Sequence, residues 1–361
     1  MGVFILLFFY LLVLKSIVRP NKRLLLAVLG GFGLWLVLAL RSPYCGMDLV
    51  MGAEGSANYY NMFMRSSDSS FVDILRGTLS FYTSMETGWL LYCKFVSLFS
   101  THFQVFMAVT ALLQITLIGY ILYKYSKDIV LSYIVFFCFG LYILCFSSIR
   151  QATAFSISFF SFHYLMEKKT WKFILTILVA ASLHNSAIIF ILAYPIKMVE
   201  FTRKKTVWII AGVFLILPLL SSFINTVIPI IFGGRYMNFQ DKGGAITLFL
   251  LYVIICLFAL KIKIKNGYDN ILRGLILMAA ACQSLGYIST GAITRIGCYF
   301  TIFFTLLFPE LINAYVAKKE RIVAFFVISS LFFFYFYWVN IGGYLNVIPY
   351  YFYWEKSFLY Y

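Results

Sequence analysis

The sequence predicts an all-helical protein that crosses a membrane many times. Three observations predict it. Of 361 residues, 63% are apolar and 12% charged, whereas soluble domains run near half apolar and a quarter charged. The apolar residues come in stretches close to the length, about 20 residues, that a helix needs to cross a bilayer. Lys and Arg gather in short clusters between those stretches, as the positive-inside rule requires of a multi-pass protein. A mean hydropathy of +0.92 agrees. This composition excludes a soluble enzyme, a secreted disulfide scaffold and a disordered chain. The net charge of +16 is read as a topology signal, with no nucleic-acid partner expected. The seven Cys are scattered without a C-x-x-C pair, and those in apolar runs read as small buried hydrophobes.

Each element follows from the alternation of apolar and basic segments. Residues 2–18 form the first stretch, with neither the basic start nor the cleavage site of a signal peptide. Arg19, Lys22 and Arg23 separate it from the second, 24–40. A long polar interruption, 41–87, follows, holding Pro43, several glycines and the acids Asp48, Glu54, Asp68, Asp73 and Glu86. Residues 88–99 are apolar but too short to span, and read as interfacial or re-entrant. Further spans are expected at 102–123, 129–146, 151–166, 207–232, 245–260, 271–288, 296–312 and 322–339. Residues 173–196 are apolar but broken near the middle by His184 and Asn185. The whole chain is one polytopic domain of about ten to twelve transmembrane or re-entrant helices.

Charge orients it. If the 19–23 loop faces the cytoplasm, the clusters at 124–127, 168–172, 197–205, 261–265 and 318–321 fall on the same side. The condition is that 173–196 enters and leaves by one face, as a helical hairpin bent at His184–Asn185. Broken backbone at membrane depth is tolerated where protein or a water-filled cavity surrounds it. The opposite side then keeps Arg41, Arg65, Arg76, Arg150, Arg235 and Arg295, with few lysines. Arginine's planar fork binds phosphate bidentately and stays charged, so this outer face reads as built for an anion.

Arg150, in Ser147-Ser148-Ile149-Arg150-Gln151-Ala152, stands at the outer junction of two spans. It is either a snorkelling anchor or a ligand for a lipid-linked phosphate, with Gln151 adding donors. Arg295 occupies an equivalent helix start late in the chain, so the two could clamp a diphosphate from both sides. His184 lies among Ser182, Asn185 and Ser186, a setting that suits a polar pocket and proton exchange. Glu86 and Asp48 are the candidate general bases for a sugar hydroxyl, or else solvated loop charges. Asn58, Tyr59, Tyr60, Asn61 and Phe63 offer stacking faces and polar ends, suited to a sugar or to a packed loop. Three dispersed His residues without H-E-x-x-H spacing imply no metal site. No Walker A loop, dinucleotide fingerprint or G-x-S-x-G elbow is present, so the energy must come from a gradient or from an activated substrate.

In order and spacing, Arg41…Gly46…Asp48…Tyr59, Glu86-x-Gly88-Trp89, Ile149-Arg150-Gln151-Ala152, Ala180-x4-Asn185 around His184, and Arg295-x3-Tyr299-Phe300 resemble the EpsG branch of the Wzy-type polysaccharide polymerases. The resemblance runs from about Arg41 to the Pro349-Tyr350 tail. It implies a GT-C-like membrane glycosyltransferase of the bacterial cytoplasmic membrane, metal- and cofactor-independent, with its site on the extracytoplasmic face. The implied substrate is an undecaprenyl-diphosphate-linked oligosaccharide, of the O-antigen, capsule or exopolysaccharide kind, with a chain-length regulator as a further partner. The growing glycan passes to the non-reducing end of a new unit. Arg150, Arg295 and Gln151 would hold the diphosphate. Glu86, Asp48 and His184 would carry the catalytic roles, and Arg41, Tyr59, Tyr60 and Tyr299 would touch glycan. Two rivals share many of these residues: a ligase moving the same glycan to another acceptor, and a flippase for the lipid-linked oligosaccharide.

Overall fold

The fold is taken from a computed structural model, which describes residues 1–49, 58–77, 85–216, 246–288 and 291–355; at 216, 246–248, 286–288, 291–295 and 344 the backbone alone is described. In chain order the α-helices are α1 (Gly2–Ile17), α2 (Arg23–Ala39), α3 (Tyr59–Asp68), α4 (Phe71–Arg76), α5 (Thr87–Ser97), α6 (Phe103–Tyr125), α7 (Ile129–Cys138), α8 (Leu141–Leu144), α9 (Ile149–Met166) and α10 (Thr170–Leu183). A 3-10 helix, Asn185–Leu192, leads to α11 (Ala193–Met198) and α12 (Arg203–Ala211). Then come α13 (Ile246–Ala259), α14 (Gly267–Ile288), α15 (Gly291–Thr301), α16 (Phe304–Tyr315) and α17 (Arg321–Asn340). Among the described residues there is no strand, only an isolated bridge between Arg41 and Phe352. Among the described residues three stretches are long and apolar enough to cross a membrane: Phe103–Tyr125, Ile296–Tyr315 and Arg321–Asn340. Shorter apolar helices include Gly2–Ile17, Arg23–Ala39 and Thr170–Leu183.

Two expectations about single elements change. Part of the 41–87 interruption is helical. Asn58 caps α3 by accepting from Asn61 N at 2.8 Å. Ser70 and Asp73 close a capping box at α4, which ends at Gly77 in the left-handed region. Tyr59, Met62, Phe63 and Ser66 of α3 are buried, the i, i+3, i+4, i+7 stripe of a helix lying on a core. The expected span 129–146 is interrupted at Gly140, whose φ of +87° suits glycine and ends α7 early. The Gly-rich loop 233–244, with Arg235, lies outside the described residues, as do Glu54 and most of the 207–232 stretch.

The chain divides into two compact units, Met1–Ile188 with Lys319–Tyr361, and Ile189–Lys318. In the first, every residue of α7 is buried, as expected of a helix apolar on all sides. Its Tyr133 inserts between α2 and α6 in a slot lined by Gly30, Gly31 and Gly119, and donates to Ala27 O at 2.8 Å. Phe4 of α1 meets Phe137, Phe146, Phe336 and Tyr350, which joins α1, α7, α17 and the aromatic tail.

The two ends of this unit differ in chemistry. At one end, Lys15 pairs with Asp128 at 2.5 Å, and Arg23 donates to the carbonyls of Tyr123 and Ser126. There too His163 sits between the hydroxyls of Tyr120 and Tyr125, beside the Glu167–Lys169 pair. Basic segments around 19–23, 124–127 and 168–172 therefore meet at one end. The starts of α5, α6 and α9 and the end of α10 lie at the other, with Arg41, Asp48, Glu86, Arg150 and His184.

In the second unit Arg273 is buried, at 4% exposure. It donates to Ala259 O, Phe201 O and Ile262 O, satisfying carbonyls where α13 ends. Asn270 accepts from Phe201 N and donates to Val199 O. Tyr315 donates to Lys261 O, and Lys263 lies over its ring. The basic segments near 200–205 and 261–265 thus meet at one end of this unit.

A test of the slot is Gly30→Val. A Cβ at Gly30 would sit 2.6 Å from the Tyr133 ring, so overpacking is expected to cost about 1–3 kcal/mol. Thermal unfolding in detergent should show a lower Tm, and Tyr133→Ala in the same chain should recover part of the loss.

Candidate active site

Glu86 is the N-cap residue of α5, yet its side chain makes no capping bond. Its carboxylate turns instead to two other helices. Oε2 accepts from Arg150 Nη1 at 2.5 Å. Oε1 accepts from the backbone N–H of Asn185 at 3.1 Å and lies 3.2 Å from His184 Nδ1. That last contact is an ion-pair distance without hydrogen-bond alignment, since Nδ1 has no hydrogen-bond partner. Arg150 is the second residue of α9, and His184 ends α10 with an extended backbone, φ −156° and ψ 112°. The break expected at His184–Asn185 is therefore where α10 stops, and it supplies the N–H that Glu86 takes up.

A glycine allows this meeting. A Cβ on Gly88 would lie 2.5 Å from the carbonyl oxygen of Ser182, so only glycine lets α5 come this close to α10. A second close approach builds the neighbouring part. Gly46 has φ +137°, and a Cβ there would lie 2.3 Å from Phe146 O. This brings Asp48 to the start of α9, where the hydroxyls of Ser147 and Ser148 each stand 3.4 Å from its Oδ2.

Tyr59 joins the two parts. Its backbone N donates to Asp48 O at 3.1 Å, and its phenolic oxygen accepts from Arg150 N at 3.4 Å. The Arg150 guanidinium carbon is 5.9 Å from its ring centroid. Trp89, fully buried, packs edge-on against Tyr59. Met85 Sδ lies 3.0 Å from Arg150 Nη1. Arg150 Nε is buried without a hydrogen-bond partner, a donor that an incoming acceptor would satisfy. The side chains of Glu86, Arg150 and His184 keep 9%, 16% and 18% exposure, so the group is sunk but open.

Electrostatics fixes the protonation of Glu86. Burial works to raise its carboxyl. The His184 contact, the Arg150 charge and the Asn185 N–H outweigh burial and bring it down to about 2. Burial pushes the Tyr59 phenol up, against the pull of Arg150, so Tyr59 is a neutral hydrogen-bonding group. A carboxylate this acidic is a poor proton acceptor near neutral pH. It is well suited to holding a guanidinium and orienting an imidazole.

Of the residues singled out in the sequence, Glu86, Arg150, His184, Asp48 and Tyr59 come together. Gln151 follows Arg150 and is buried. Tyr60 turns to α6, its ring edge-on to Phe103 at 5.3 Å. Arg41 is 1% exposed, donating to Cys145 O at 2.7 Å beneath the Phe146 ring. Tyr299 is buried in the second unit. Arg295 lies in α15 of that unit, with its side chain outside the described residues. Ser147 and Ser148, as partners of Asp48, and Met85 join the site without a sequence motif that marks them. The signal for the serines was present in their position just before α9, where hydroxyl residues favour caps.

Two measurements test the geometry. Gly88→Ala should part Glu86 from Asn185, so the Asn185 amide should exchange its hydrogen faster, by about tenfold or more for a lost charged hydrogen bond. For Glu86→Gln the sign follows from the lowered pKa. The ionised carboxylate stabilises the folded chain fully above its ordinary value of 4.5 and is lost as pH falls toward about 2. The Tm gap between wild type and Glu86→Gln should therefore stay constant from neutral pH to about pH 5 and shrink below it.

The family model of the EpsG family matches residues 32–352, a span that contains Asp48, Glu86, Arg150 and His184. No curated protein and no solved structure matches the chain.

Proposed function

Because this chain belongs to the EpsG family, we propose that it is a membrane polysaccharide polymerase. It joins oligosaccharide repeat units carried on undecaprenyl diphosphate, at the extracytoplasmic face of the bacterial cytoplasmic membrane. The observation that carries the reading is the Glu86–Arg150–His184 group, which gathers a carboxylate, a guanidinium and an imidazole in one partly open site. Its place at the end of the first unit away from the Lys15–Asp128 and Arg23 contacts supports an outward-facing site under the positive-inside rule. The chain then enters and leaves by the same face through 173–196, bent at the His184 break.

The roles follow from the partners. Glu86 orients both of its neighbours. With Nδ1 turned to Glu86, His184 presents Nε2 to the acceptor hydroxyl, the logic of a carboxylate-oriented imidazole base. The hydroxyl oxygen attacks the anomeric carbon and its proton passes to Nε2. The bond from that carbon to the diphosphate oxygen breaks, and its electron pair leaves with the lipid diphosphate. Arg150, with Gln151 beside it, stabilises the charge that grows there. Asp48 stands as a second carboxylate at the acceptor side, and Tyr59 lines the glycan path. Arg295 is proposed as a further phosphate ligand, as the resemblance implies. The site needs no metal, because cationic side chains neutralise the leaving group.

The test is a gel ladder from purified protein given a synthetic lipid-diphosphate repeat unit. Wild type should build a ladder on the lipid carrier. Arg150→Ala should lower the rate by about 10²–10³-fold, the effect of deleting one transition-state donor, and His184→Ala by about 10²–10⁴-fold, the effect of deleting a general base. Arg150→Lys should recover part of it, and Arg295→Ala should also be impaired. Intact substrate in every lane, with lipid moved between the leaflets of a proteoliposome, would replace this reading with a flippase. Glycan moved onto another acceptor without a ladder would replace it with a ligase.

A further inference from the structure

The second unit carries a cavity of about 540 Å³ at the end where its basic segments meet. That size lies within the range of small-ligand pockets, roughly 300–1,000 Å³. Arg273 forms part of its floor and Arg203 part of its rim, with Asn266, Asn270 and Ile264 between them. Glu200 is the one acid among the lining residues. Lys204 and Lys205 follow Arg203 in sequence, and Lys261, Lys263 and Lys265 flank Ile264, so the local field is strongly positive.

The floor is set in place. Arg273 is held by three backbone carbonyls, and Asn270 by Phe201 N and Val199 O. No carboxylate cancels Arg273 in those contacts. Asp269 beside it has its carboxylate directed to the backbone N–H of Lys265 at 2.9 Å. Asp269 offsets part of the Arg273 charge, and the surplus of cations around the cavity leaves an attractive potential in the space above it. Arg203 is exposed and free to swing over the opening. The apolar wall at Ile264 and the neighbouring exposed Trp208, Val207 and Met198 put lipid-compatible surface on the segments beside the cavity. An anion with an attached apolar body meets both kinds of surface at once, and a basic pocket between helices at a membrane surface suits a phospholipid head group.

We propose that this cavity binds the phosphodiester head group of an anionic glycerophospholipid. Arg203 and Arg273 attract the phosphate, Asn266 and Asn270 border the polar head, and Glu200 opposes excess negative charge. The site is separate from the Glu86 group and does not depend on the reaction assigned to it.

The experiment uses the full chain in a neutral detergent, titrated with dioctanoyl phosphatidylglycerol and followed by native mass spectrometry and thermal shift. Dioctanoylglycerol, which lacks the phosphate, and glycerol 3-phosphate, which lacks the chains, run beside it. Saturable binding of the phospholipid is expected, with none of dioctanoylglycerol. Arg203→Glu should weaken it about tenfold, the loss of one charge-assisted contact, and Ile264→Trp, whose larger side chain fills the cavity, should weaken it as well. Glu200→Gln should tighten it about threefold, a gain that general damage to the fold cannot produce. Lys204→Glu, outside the lining, should change little. Equal loss in Lys204→Glu and Arg203→Glu would mean diffuse surface charge and overturn the site. Absence of saturable binding would overturn it as well. Glycerol 3-phosphate binding as tightly as the lipid would overturn the lipid assignment in favour of a soluble phosphate ester.

Discussion

Glu86 joins α5, α9 and α10 through a single carboxylate. Two oxygens meet Arg150, the Asn185 N–H and His184, and the contacts come from two distant stretches of chain, the start of α9 and the end of α10. Removing that carboxylate would leave the Arg150 guanidinium without its countercharge, and breaking a partly buried pair from one side is costly. The backbone break after α10 would also lose the acceptor of its exposed N–H. The group is thus both structure and chemistry. The approach of α5 to α10 at Gly88 makes it possible, and the extended conformation of His184 aims the imidazole back toward α5.

The same arrangement explains why Glu86 is unsuited to being the base itself. A carboxylate that stabilises a guanidinium is acidified by it, and with the carboxyl brought to about 2 its affinity for a proton is small. Its influence passes through its partners. A carboxylate oriented on Nδ1 leaves the other ring nitrogen for a hydroxyl, and one oriented on Nη1 leaves the remaining guanidinium donors for an anion. Arg150 Nε, buried without a partner, is the donor most in need of that anion.

Much of this was legible in the sequence, and the reasons are physical. Composition alone gives the membrane class, because no water-facing surface can be covered with so few charges. The polar interruption of 173–196 at His184–Asn185 marks the end of α10, because a polar cluster in an apolar helix needs partners that a helix cannot supply. Glu86, Arg150 and His184 stood out as charged or polar residues at the edges of apolar stretches. Their meeting was not readable, since Glu86 joins Arg150, 64 positions on, and the Asn185 N–H, 99 positions on. The helicity of α3 was hidden by its aromatic and polar residues, which suit a loop equally well until Asn58 is seen to cap it. The stop at Gly140 was hidden too, because the apolar run continues past it and only the left-handed backbone ends the helix.

Arg41 and Arg150 show why residue type does not settle role. Both are arginines near the same end of the first unit, and both were read from sequence as ligands for substrate. Arg41 is buried beneath the tail, its guanidinium on Cys145 O and over the Phe146 ring. Burial lowers its pKa to about 10, so it remains charged at neutral pH. Its own backbone meets Phe352, while Ser42 N donates to Tyr351 O and Tyr353 N to Leu40 O. These contacts tie the end of α2, the corner before α9 and the tail together, under the loop that carries Asp48. At 1% exposure beneath the tail, Arg41 cannot take up a phosphate without opening that corner. A guanidinium held by a carboxylate can exchange one anion for another with its surroundings intact. Arg150 has such a partner and a partly open side chain, so the chemistry of anion exchange belongs to it, while Arg41 braces the floor on which that chemistry takes place.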